Sequence, residues 1–147
     1  MTSTTRSTTD RTSTAGSSGS APVTTLVVLA LLAVLAEAWQ FVTAGQLFPG
    51  DSALEAHQAG AIVLHVVSGL TAVAALLANR RAAAPTWLWM LALVVFALTF
   101  VQAATGGRET LWIHVPGAMV VTVGSVWLLV SAAGLRGRGR QPVTAAR

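Results

Sequence analysis

The sequence predicts an all-α fold: an integral membrane four-helix bundle made of two repeated helical hairpins, with the N- and C-termini cytoplasmic. Three observations carry that expectation. The 147-residue chain is 54% hydrophobic and only 10% charged, with mean hydropathy +0.68, a balance foreign to ordinary soluble domains. Four apolar stretches, at about 23–44, 57–78, 86–104 and 113–133, match the roughly 20 residues per helix that a hydrocarbon core of about 30 Å requires. Eight of the nine basic residues, all arginines, fall in alternate connections of those stretches.

The elements follow in order. Residues 1–22 are almost entirely Ser, Thr, Gly, Ala, Arg and Asp and have nothing to bury, so they read as a disordered cytoplasmic tail. The first apolar stretch ends with Ala36-Glu37-Ala38, the small-x-small form of a signal-peptide cleavage site. The apolar pattern runs on through Trp39, Phe41 and Val42, however, which favours a retained first span over a cleaved leader. Arg80 and Arg81 separate the second and third spans, and Arg136, Arg138, Arg140 and Arg147 make residues 134–147 a basic cytoplasmic tail. With Arg6 and Arg11 before the first span, only Arg108 stands in the other set of loops, which is a positive-inside pattern for a multi-pass protein of the cell membrane. Trp87 and Trp89 then fall at the inner interface and Trp112 at the outer one, as an aromatic belt requires.

The second and fourth spans share a pattern. HQAGAIVLHVVS at 57–68 and HVPGAMVVTVGS at 114–125 match at His57/His114, Gly60/Gly117, Ala61/Ala118, Val63/Val120, Val66/Val123 and Ser68/Ser125. The preceding spans agree, since Gln40, Thr43 and Gly45 have the same mutual spacing as Gln102, Thr105 and Gly107. The unit is a helical hairpin used twice, its copies related by a pseudo-two-fold axis along the membrane normal. At about 3.6 residues per turn, His57, Gly60, Leu64 and Ser68 share one helix face, as do His114, Gly117, Val121 and Ser125.

Those faces suggest a cofactor. Haem iron takes axial imidazole nitrogens, and bundle sites are built from side chains on facing helices. A histidine at a helix N-terminus is kept neutral, in the ligating form, by the positive end of the helix dipole. His57 and His114 are therefore candidate haem iron ligands, with Gly60 and Gly117 beneath them opening space for the ring. Two imidazoles leave no open position for oxygen, so the expectation is an electron carrier or haem-holding subunit with haem b more than an enzyme. The competing reading is a cofactor-free structural or interaction subunit, whose histidines bridge core and headgroups and whose glycines let helices approach.

Four helices with histidines at the outer ends of the second and fourth resemble one half of the haem A synthase family, whose eight helices form two such bundles. The chain is also similar to a bacterial domain-of-unknown-function family of small four-helix membrane proteins, through Gln40-Phe41-x-x-Ala44-Gly45, Phe48, His57 and His114. The resemblance spans residues 23–133 and implies that His57 and His114 are axial ligands. The family's glutamate stands three residues before a ligand histidine, whereas Glu55 stands two before His57, and the second bundle is missing. What carries over is the ligand pair, not the synthase reaction.

Glu37 and His65 fall deep in their spans, where a charged group is costly and is paired or functional. A Glu37–His65 hydrogen bond would neutralise both. Gln40 and Gln102 read as interhelical hydrogen-bonding residues. With no cysteine, disulfides, thiolate ligands and a cysteine nucleophile are excluded. A phosphate loop, a zinc-protease histidine pair and a serine nucleophile elbow are all missing. The arginines sit at membrane ends, with no folded basic face for nucleic acid. A small transporter would need a homo-oligomer with Glu37 at its interface. The expected partners are the lipid bilayer and a membrane redox protein or a second copy of the chain.

Overall fold

A computed structural model describes residues 20–47 and 51–138, and these residues form helices and short connections without strands. Helix α1 spans Ser20–Gln46, α2 Leu54–Ala82, α3 Thr86–Ala104 and α4 Leu111–Arg138. All four are long and apolar enough to cross a membrane. Even the shortest, α3 with 19 residues, reaches about 28 Å, the thickness of the hydrocarbon layer. Helices are the natural result, because lipid offers backbone groups no partner outside the segment itself. Short 3₁₀ turns at Asp51–Ala53 and Arg108–Thr110 lead into α2 and α4.

Three of the helices are longer than the apolar stretches suggest. The extra turns are polar or small, such as Ser20-Ala21-Pro22 on α1 and Asn79 to Ala82 on α2, and a count of apolar residues does not register them. The expected disordered tail therefore ends before Ser20, and the rest of that expectation lies outside the described residues, as does Phe48. Most of the basic tail, including Arg140 and Arg147, lies outside them too.

The helices pack in a ring. Helix α1 lies against α2 and α4, and α3 against the same two, so α2 and α4 are diagonal partners. Packing relies on small residues: Ala74, Ala75, Ala78, Ala92 and Ala132 meet Leu26, Leu88 and Leu128 at the end holding the α2–α3 turn. Close approach matters here because lipid tails are as apolar as leucine, leaving van der Waals contact and hydrogen bonds to drive association. The outer surface is apolar instead, with Ile62 68% and Trp112 74% exposed. A monomer in water would not display such a surface, so lipid is its solvent.

Toward the end holding the α1–α2 and α3–α4 connections the interior turns polar. Glu37, Thr43, Ser68, Thr71, Thr99 and Ser125 are all buried there. The faces expected from the spacing are the inward ones: Gly60, Leu64 and Ser68 on α2 and Val121 and Ser125 on α4 are buried.

The α2–α3 turn is tight. Ala83 takes a left-handed conformation at φ 51°, ψ 30°, and Ala84 N–H bonds back to the Ala78 carbonyl at 3.2 Å, closing the end of α2. The Asn79 side chain donates to the Ala84 carbonyl at 2.5 Å, and Pro85 sets the start of α3. A residue with a Cβ is strained at positive φ. Ala83→Gly should therefore stabilise the protein by up to about 1 kcal/mol. Unfolding by a denaturing detergent checks this; a lower midpoint in the variant would contradict the assignment of strain.

Candidate functional site

His57 and His114 occupy equivalent positions in the fold, each the fourth residue of its helix and each just after a 3₁₀ turn. Both are half-buried at the loop end of the bundle, on diagonal helices.

Neighbouring helices orient both rings. His114 Nδ1 lies 3.0 Å from the Gln102 carbonyl oxygen on α3. A carbonyl only accepts, so Nδ1 carries the hydrogen and, in the neutral ring, Nε2 is bare. His57 Nδ1 lies 2.9 Å from Thr43 Oγ1 on α1. The Thr43 hydroxyl has one hydrogen and also lies 3.0 and 3.1 Å from the Trp39 and Gln40 carbonyls of its own helix; when it donates to either of them, it accepts from His57 Nδ1–H. His57 Nε2 is then bare as well. An acceptor on Nδ1–H is the arrangement that fixes ring and tautomer in metal-ligating histidines.

The two glycines behave differently from the expectation. Gly60 and Gly117 do not leave open space: a methyl group at Gly60 would collide with the Gln40 amide, and one at Gly117 with the Gln102 amide. Each glutamine reaches across from the preceding helix and fills the niche. Gln40 Nε2 also donates to the His57 carbonyl at 3.1 Å, so the reading of Gln40 as an interhelical bonding residue holds. The spacing placed histidine and glycine on one face correctly, but it carried no information about which neighbour would occupy the gap.

Glu37 and His65 do not pair. Glu37 is 3% exposed and accepts a 2.5 Å hydrogen bond from Ser125 Oγ on α4. His65 Nδ1 bonds the Ala61 carbonyl of its own helix at 2.6 Å, and its ring meets Phe100 of α3 edge-on at 4.5 Å. The cause is helical geometry: eight residues beyond His57, His65 is rotated by about 80°, toward α3 and away from Glu37. Glu37 also faces the bundle interior, so it is not on an outer surface where a homo-oligomeric pathway would require it.

Thr43 and Ser125 are the partners that sequence reasoning missed. Thr43 stood out only for its spacing from Gln40 and Ser125 only for its match with Ser68, and neither signal names a bonding partner. Among the described residues no three of His, Cys, Asp and Glu gather closely enough to hold a bare metal ion. A group that supplies most of its own ligands needs only the histidine pair.

Gly60→Ala and Gly117→Ala should each destabilise the bundle by about 1 kcal/mol, since the methyl group displaces the Gln40 or Gln102 amide and, at Gly60, also presses on the Trp39 ring. Gln40→Ala should recover part of the Gly60→Ala loss, and Gln102→Ala part of the Gly117→Ala loss, in double-mutant cycles of detergent unfolding. Additive losses would mean that the niches are not shared.

No protein-family model matches the chain, and searches of the curated proteins and of the solved structures found no match.

Proposed function

We propose that the protein is a small haem b membrane protein in which His57 and His114 are the axial ligands, serving electron transfer or haem holding. The observation that carries this reading is the matching engagement of both rings: each Nδ1 lies within hydrogen-bond distance of a group on α1 or α3, which leaves Nε2 available to a ligand, at equivalent positions of two diagonal helices. The donor chemistry fits the group, which brings four nitrogens of its own and needs two more. Held by His57 and His114, it would supply one-electron chemistry. The chain's own part is to direct the two imidazoles, through Thr43 and the Gln102 carbonyl. Because the Gln40 and Gln102 amides fill the glycine niches, Gly60 and Gly117 serve to bring the helices together beneath the histidines.

The matching Gln40–Gly60 and Gln102–Gly117 contacts support the reading of the bundle as one hairpin used twice. Arginine distribution supports cytoplasmic termini in a cell-membrane protein, with the histidines near the outer surface.

A second reading rests on the same glutamines. Amides that lock α1 to α2 and α3 to α4 suit a cofactor-free structural or interaction subunit, with the histidines as further interhelical bonding residues. The two readings separate in one experiment. Protein purified from haem-supplied cells should give a reduced-minus-oxidised spectrum with sharp low-spin bands, and His57→Ala or His114→Ala should each abolish the low-spin signature while leaving the helical content unchanged. Colourless, folded protein would overturn the haem reading and leave the structural one.

A further inference from the structure

The centre of the bundle holds a second polar group of residues, distinct from the histidines. Glu37 and Ser68 are 3% and 2% exposed, and Glu37 Oε2 and Ser68 Oγ have no hydrogen-bond partner. Ser68, Thr71 and Ser125 line a cavity of about 10 Å³ whose other walls are apolar, and Glu37 borders it only through Ser125. That is close to the volume one water occupies, and a buried water needs two to four polar partners. Ser125, which lines the cavity, is the residue that donates to Glu37 Oε1. Side chains on a helix lean toward its N-terminus, so Glu37 on α1 reaches toward the serine level rather than the histidine level.

The charge balance decides the state of the carboxyl. The arginines of the described residues, Arg80, Arg81, Arg108, Arg136 and Arg138, lie at helix ends or in a connection, well away along the helices from Glu37. On α2, His57 is bonded to Thr43 and His65 to its own helix, while on α4 His114 is bonded to Gln102. Helix α3 contributes no titratable side chain. A carboxylate without a cation in this setting is costly, whereas a neutral acid needs only an acceptor for its hydrogen.

We propose that Glu37, Ser68 and Ser125 form a proton-binding centre in the middle of the bundle, with Glu37 held as a neutral acid and one water bridging Oε2–H to Ser68 Oγ. Ser125 fixes the other carboxyl oxygen. The water gives both unpartnered atoms the bond they lack, and the serines sit on α2 and α4, so the centre joins the two diagonal helices through α1. The inference is independent of whether haem binds above it.

Infrared spectroscopy of the full chain in lipid vesicles at neutral pH tests it. In a Glu55→Gln, Glu109→Gln background, isotope-labelled glutamate leaves Glu37 as the sole labelled carboxyl, so the assignment does not depend on a Glu37 variant folding. The expected result is a labelled acid carbonyl band that shifts in heavy water, with no labelled carboxylate band, unchanged when sodium chloride is replaced by choline chloride. Ser68→Ala should move that band to higher frequency as the bridging water is lost. A labelled carboxylate band would overturn the proposal, and sodium dependence would make the centre a cation site instead. An unmoved band in Ser68→Ala would remove the water bridge.

Discussion

In a hydrocarbon layer a polar side chain has no water to turn to, and its only useful partner is another helix. Gln40 meets that constraint by donating to the His57 carbonyl where it crosses α2 at Gly60, and Gln102 crosses α4 at Gly117 with its Oε1 left without a hydrogen-bond partner. The crossing needs a missing Cβ, so it fixes which turn of α1 stands beside which turn of α2, and likewise for α3 and α4. Once those registers are set, Thr43 meets His57 and the Gln102 carbonyl meets His114. The orientation of both imidazoles is thus a consequence of helix register, with no dedicated loop needed to hold them.

Polar contacts are also layered by depth. The histidines and their partners occupy the loop end, Glu37 and the serines the middle, and alanine and leucine the end with the α2–α3 turn. Interhelical hydrogen bonds in membranes contribute about 0.6 kcal/mol each on average, so no single bond holds the bundle. Small-residue packing at the apolar end supplies the contact area, and the polar layers select one arrangement from the several that alanine-rich surfaces would accept.

Much of this was legible in the sequence, for definite reasons. Helix type and number follow from apolar length, and the inward faces follow from the 3.6-residue period, which put Leu64, Ser68, Val121 and Ser125 where they are buried. Periodicity assigns a residue to a face of its own helix and is silent on the neighbour. It therefore left Gly60 and Gly117 as apparent openings, since the glutamines that fill them belong to other helices. It also paired Glu37 with His65 on depth alone, although rotation about α2 carries His65 to Phe100. Helix ends were short by several residues because polar end turns contribute nothing to an apolar count.

The central claim is that α1 and α3 engage His57 and His114 at Nδ1, so that in the neutral ring Nδ1 carries the hydrogen and Nε2 is bare. Nitrogen NMR of isotope-labelled histidine, on protein purified without haem and assigned by single substitutions, reads this state directly. His65, bonded through Nδ1 to its own helix, serves as an internal reference for the same tautomer. The account predicts an unprotonated Nε2 and a protonated Nδ1 for both His57 and His114 near neutral pH, with His57 losing that preference in Thr43→Val. Protonation of either ring at Nε2 would contradict it.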